Sequence, residues 1–141
     1  SNYMIISDPT ELINSLAKED FGVFKHKDRD CVYKELDIIK KYKKASKKEV
    51  LNFRKKLLSE NFPKSYGLAD LSIIVRKHNS VFSKKVSENI FSLYDTHLER
   101  DQPIFSYLMW KYNNKISDYY LLNDDSNVAI RVPHLEGFET I

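Results

Sequence analysis

Cysteine is nearly absent: Cys31 is the only one among 141 residues, which excludes an intrachain disulfide and any cysteine-based zinc site. Glycine is as sparse. Gly22, Gly67 and Gly137 are the three in the chain and lie far apart, so a glycine-rich phosphate loop of the P-loop or dinucleotide-binding kind is excluded. The patterns GxSxG and HExxH are missing too, which removes the serine-hydrolase elbow and the helical zinc-protease site. No run of about 18 apolar residues occurs, so no membrane span is expected. The opening residues SNYMIISDP lack the basic start and apolar stretch of a signal peptide. Together these absences point to a water-soluble domain with a cytoplasmic setting.

What is present is enough for a core. The apolar fraction is 42% and aromatics make up 13%, well above the composition of a disordered chain. No internal repeat and no Gly/Ser linker divides the sequence, so residues 1–141 read as one domain. Net charge is +3, unevenly spread: residues 25–64 hold 14 Lys/Arg against 6 Asp/Glu, a local +8. Such a basic stretch suits an acidic partner or, more simply, a solvated helical face. The run KKYKKASKK (40–48) has one aromatic and no nucleic-acid motif. A basic nucleic-acid or polyanion-binding module, or a non-catalytic interaction domain, stands as the alternative to an enzyme, and for an enzyme no nucleic-acid partner is expected.

Periodicity and punctuation give an alternation of helices and strands. Asp8-Pro9-Thr10-Glu11 opens a helix over about 9–19, and Phe21–Phe24 is a short strand ending at Lys25-His26. Asp30 caps a second helix that turns Val32, Leu36 and Ile39 inward. Ser46 and Glu49 form a capping box ahead of Val50, Phe53, Leu57 and Leu58. Residues 71–75, rich in β-branched side chains, read as a buried strand. Helices follow with Phe82, Val86, Ile90 and Leu93, and then, from Asp101 and Pro103, with Ile104, Phe105, Leu108, Met109 and Tyr112 on one side. Weak strand signals lie at 119–122 and 128–132. Alternating strands and helices argue an α/β layer fold, with few strands for a complete doubly wound domain.

Three polar clusters stand where predicted elements end. The first is His26, Arg29, Asp30 and Cys31, with Tyr33 and Glu35 on the next helix. In open α/β sheets ligands sit beyond the carboxyl ends of strands, and Arg29 offers a planar fork for phosphate or carboxylate. A surface turn with a capping aspartate is the plainer reading. The second is Arg76, His78 and Asn79 after the most hydrophobic strand; residues 76 and 78 share a face in an extended segment. The third is Arg100, Asp101 and Gln102 at a helix start, where Asp101 is either an ordinary N-cap or a carboxylate held ionised by the helix end. His134 is a weaker fourth candidate. Cys31 and His26 stand too close in sequence to read as a nucleophile and its base.

The order of three segments, FKHKDRDCVYKE (24–35), GLADLSIIVRKHN (67–79) and ERDQPIFSYLMWK (99–111), resembles the glycosyltransferase-like domain of the plant TOD/MUCI-type proteins and their bacterial relatives. The family's His-x-x-Arg-x-Cys-x-Tyr-x-Glu element falls on His26, Arg29, Cys31, Tyr33 and Glu35. Its Ile-x-Arg-x-His-Asn strand end falls on Ile74, Arg76, His78 and Asn79. Its Arg-Asp-Gln-x-x-Phe-x-Tyr helix start falls on Arg100, Asp101, Gln102, Phe105 and Tyr107. The resemblance implies a GT-A-like, Rossmann-type sandwich that transfers a sugar from a nucleotide-sugar donor to a glycan or other hydroxyl acceptor. It also implies that the chain covers the C-terminal part of such a domain, with the acidic metal motif before Ser1. Incomplete packing there would favour self-association. Under this resemblance Asp101 and Gln102 are catalytic. His26, Arg29, Tyr33, Glu35, Arg76, His78, Asn79 and Arg100 bind substrate, His134 is the metal candidate, and Mn²⁺ or Mg²⁺ is the expected cofactor. All three clusters are then expected to open on a common side, above one sheet that contains both good strands.

Overall fold

The computed structural model describes residues 2–16, 21–121 and 128–132. Among the described residues the elements run, in chain order, β1 (Asn2–Ile5), α1 (Thr10–Asn14), β2 (Phe21–Lys25), α2 (Val32–Lys41), α3 (Lys47–Ser59), β3 (Ala69–Arg76), α4 (Val81–Thr96), α5 (Asp101–Lys111), a 3₁₀ turn (Ile116–Tyr119) and β4 (Ala129–Val132). The mixed α/β class agrees with the alternation in the sequence. Among the described residues, no helix is long and apolar enough to cross a membrane.

The capping box predicted at Ser46 is formed. The Ser46 hydroxyl accepts from the Glu49 amide while the Glu49 carboxylate accepts from the Ser46 amide. Two other predicted helix starts shift. Asp8 accepts from both the amide and the hydroxyl of Thr10, but Pro9 holds the cap position and the described helix is short. The second helix has Cys31, not Asp30, at its extended N-cap.

The two best strand segments do pair in one sheet. β2 and β3 run antiparallel, with Phe21 opposite Arg76 and Lys25 opposite Ala69. β1 and β4 form a second antiparallel pair. One parallel bridge, Val23 to Tyr120, lies beside β2. A parallel, Rossmann-type arrangement is represented among the described residues by that bridge alone.

β3 is also less buried than its composition predicts. Ala69 is buried, whereas Ser72, Ile74 and Arg76 are exposed, as befits a two-stranded ribbon with one covered face. Its register jumps at Val23/Phe24, because Ile74 pairs with Val23 and Asp70 with Phe24. Residues 71–73 therefore bulge out of the ladder, a device that re-aims side chains.

Helix α5 organises the interior. Pro103 through Met109 are all buried, so its apolar surface wraps the whole helix rather than one side. A helix that is apolar all round is a core helix. One side packs with Leu36, Ile39, Phe53 and Leu57 of α2 and α3. The other packs Phe105 and Met109 against Phe21, Val23 and Val86, between the ribbon and α4. Phe21 stacks on Phe105 with ring centroids 5.7 Å apart. This packing fixes the N-terminus of α5 beside the end of β2 and the start of β3.

Candidate functional site

The antiparallel ribbon decides which polar clusters can meet. His26 follows the last residue of β2, and its amide donates to the Leu68 carbonyl at 2.9 Å. The end of β2 and the start of β3 therefore lie together. His26, Arg29, Glu35, Lys44, Asp70, Leu71, Ser72, Arg100, Asp101 and Gln102 line a cleft of about 250 Å³ there. The first and third clusters thus share one site, although about 70 residues separate them in sequence.

Arg76, His78 and Asn79 are elsewhere. They leave β3 at its other end, six residues beyond Asp70, which at about 3.3 Å per residue is on the order of 20 Å away. All three are exposed and line a separate hollow with Lys77, Ser83, Lys84, Ser87 and Glu88. Arg76 Nη1 donates to Ser87 Oγ at 2.9 Å, and Asn79 takes a left-handed φ of 59°. The expectation of one common opening for all three clusters is therefore corrected. It took both strands to point the same way, and they run oppositely.

The first cluster divides into members that line the cleft and members that do not. Arg29 Nε donates to Glu35 Oε2 at 2.5 Å. The Glu35 side chain is 5% exposed and that of Arg29 25%, so a desolvated carboxylate holds the root of the guanidinium in a charge-assisted bond. His26 Nδ1 accepts from the Asp28 and Arg29 amides, each at 3.1 Å. Burial, then the positive charge of Arg29, pushes the His26 pKa below that of an ordinary histidine, against the pull of Glu35, Asp70 and Asp28. Tyr33 does not line the cleft. It is buried, its hydroxyl donates to the Phe62 carbonyl at 2.8 Å, and its ring packs on Phe62 in the α2–α3 core.

The third cluster corrects the reading of Asp101 as a cap. Arg100 occupies the extended N-cap position, no side chain caps the helix, and Asp101 is its first residue. Its exposed carboxylate stands at the positive helix end, where an anion is favoured. Among the described residues Asp101, Gln102, Arg100 and Lys44 have no side-chain partner, so they are available to a ligand.

The sequence reading missed Lys44, Asp70 and Ser72. Lys44 is submerged in the lysine run, Asp70 stands just before the strand read over 71–75, and Ser72 lies within it. Asp70 Oδ1 accepts from the Ser72 amide at 2.9 Å, which stabilises the bulge that brings both to the cleft. Nothing local in the sequence marked the bulge.

Among the described residues no group of three or more His, Cys, Asp or Glu side chains is close enough together to hold one metal ion. His134, the metal candidate, and the adjacent acids Asp124 and Asp125 lie outside the described residues.

A protein-family model described as TOD1/MUCI70, glycosyltransferase-like domain, matches residues 1–133. The chain belongs to this family. No curated protein and no solved structure matches it. In this glycosyltransferase-like domain, the cleft between the β2–β3 ribbon and α5 gathers six of the ten residues expected to bind or act on substrate from the first and third clusters. Cations, carboxylates, an amide and a hydroxyl line it, with Leu71 the apolar exception.

Proposed function

We propose that the domain transfers a sugar from a nucleoside-diphosphate donor to a hydroxyl acceptor, with the cleft at His26, Arg29 and Asp101 as its ligand seat. The observation that carries this reading is the convergence of two distant polar clusters on one cleft in a member of a glycosyltransferase-like family. The lining suits a carbohydrate. Sugar hydroxyls both donate and accept, and here carboxylates (Asp70, Asp101) stand among N–H donors (Arg29, Arg100, Gln102). The reading takes the α/β layering as GT-A-like, supported by α5 packed beneath β3 and by the parallel bridge beside β2.

Each residue has a chemical role in this scheme. Asp101 has no side-chain partner among the described residues and stands at the helix N-terminus, so it accepts the proton of the attacking hydroxyl or grips a sugar hydroxyl in the transition state. Gln102 orients the same group. Arg100, Lys44 and Arg29 offset negative charge that develops on the departing diphosphate. Glu35 keeps Arg29 in place. Arg76, His78 and Asn79 have no part in this cleft.

Release of nucleoside diphosphate from a panel of nucleotide sugars, with and without acceptor, tests the proposal. Asp101→Asn and Arg29→Met are each expected to lower the rate at least about 100-fold, the size of a general acid–base contribution for Asp101 and of one lost charge-stabilising donor for Arg29. Arg76→Met is expected to leave it unchanged. Loss of turnover in Arg76→Met with full turnover in Asp101→Asn would sink the assignment of the cleft.

A further inference from the structure

A histidine that commits one ring nitrogen to its own loop can meet a ligand in only one way. His26 Nδ1 accepts from two backbone amides, those of Asp28 and Arg29, and a nitrogen that accepts carries a lone pair and no proton. The neutral ring therefore holds its proton on Nε2. That atom lies 3.3 Å from Arg29 Nη2, and a guanidinium has donors only. Moving the proton to Nδ1 would let Nε2 accept from Arg29 but would forfeit the hydrogen bonds that Nδ1 accepts from the Asp28 and Arg29 backbone N–H groups. The favoured state thus sets two N–H donors side by side at the cleft, and no carbonyl or carboxylate of the described residues accepts from either. Arg29 cannot swing away, because Glu35 holds its Nε.

We infer that His26 Nε2 and Arg29 Nη2 form a two-donor seat for one oxyanion oxygen of the ligand, and that His26 is a fixed donor there and not a proton acceptor. The inference builds on the reading of this cleft as the ligand site. A phosphate or carboxylate oxygen has lone pairs for both donors, and placing it between them relieves their repulsion. Lys44 and Arg100, in the same cleft and without a carboxylate partner among the described residues, add positive charge toward such a group. Asp70 and Asp101 oppose it, so the seat belongs to the His26–Arg29 side, with the carboxylates left for hydroxyl groups.

The arrangement also explains why histidine stands at position 26. Accepting from the amides two and three residues ahead is the habit of Asn and Asp at the start of a turn. Histidine does the same with Nδ1 while keeping an N–H on its far side.

Nitrogen-15 NMR of histidine-labelled protein near neutral pH tests the tautomer directly. The expected pattern for His26 is an unprotonated Nδ1 and a protonated Nε2; a protonated Nδ1 overturns the inference. Titrations with inorganic pyrophosphate, acetate and methyl α-glucoside then identify the acceptor. A shift of the Nε2 proton with pyrophosphate supports a phosphate source, and one with acetate a carboxylate source. A shift with the glucoside alone, or with none of the three, overturns the oxyanion seat. His26→Asn keeps an acceptor for the two amides and removes the distal N–H. It is expected to fold as the parent does and to lose affinity for the effective anion by about tenfold or more, the scale of a hydrogen bond to a charged group. Parent-like affinity in that variant overturns the proposal. Turnover is not read in these experiments, so a protein that binds the anion this way but transfers no sugar leaves this inference standing and refutes the transferase reading.

Discussion

Glu35→Gln removes one charge from the Arg29–Glu35 pair and leaves its shape nearly intact. The cost is bounded from both sides. Fully exposed pairs contribute about 0.2–1 kcal/mol, and breaking a fully buried pair costs about 3–5 kcal/mol. Here the carboxylate side chain is 5% exposed and the guanidinium side chain 25%. Arg29 can therefore regain some water when its partner is neutral, which places the expected loss near 2 kcal/mol. For a chain of this size that corresponds to a Tm lower by roughly 8 °C. A double-mutant cycle with Arg29→Gln isolates the pairwise part. Chemical denaturation of the four proteins should give a coupling of about 1–2 kcal/mol. The Glu35→Gln protein should also bind cleft ligands more weakly than its stability loss explains, because Arg29 is then free to turn. A coupling below about 0.5 kcal/mol would refute the argument, since Glu35 would then be one end of an ordinary surface pair.

Three further outcomes follow from the geometry. Tyr33→Phe should cost about 1–2 kcal/mol by orphaning the Phe62 carbonyl while leaving ligand affinity unchanged, as thermal melts and titrations of the same samples can check. Glu60 bonds to Lys111, Tyr107 and Lys56, and these bonds, that of Lys111 first, pull its pKa from 4.5 to about 2. A depressed carboxylate stabilises the fold above its unfolded pKa and loses that contribution as pH falls through the folded value. Since the side chain keeps contact with water, Glu60→Gln should cost about 1 kcal/mol at pH 7, and denaturation at stepped pH should show the difference closing between about 4.5 and 2. The exposed lysines at 40–48 should give binding to heparin that falls steeply with salt, measured by elution from a column, without loss of cleft-ligand affinity when Lys40, Lys41 and Lys43 are neutralised.

Much of the element order was legible because periodic apolar residues and local punctuation act over a few positions. Ser46 and Glu49 meet within one turn, so their capping box is readable without tertiary information. The pairing of residues 21–25 with 69–76 follows from the two best apolar runs, but its direction does not. Antiparallel pairing reversed β3 and carried Arg76, His78 and Asn79 away from the cleft. The same limit hid Asp70 and Ser72, which reach the site through a register jump set by the partner strand. Tyr33 stands two residues from Glu35, on the far side of the helix, and its hydroxyl is spent on the carbonyl of Phe62, far along the chain. Asp101 carried an N-cap reading because its residue type favours caps. Only the backbone at Arg100, extended with a φ of −146°, moves the cap back by one and releases the carboxylate.

Backbone chemical-shift mapping with a panel of nucleoside-diphosphate sugars, with and without Mn²⁺, tests the central claim most directly. The account predicts perturbations at His26, Arg29, Asp70 and Arg100 through Gln102, and none at Arg76 through Asn79. Perturbations confined to Arg76–Asn79 or to the lysines at 40–48 would contradict it.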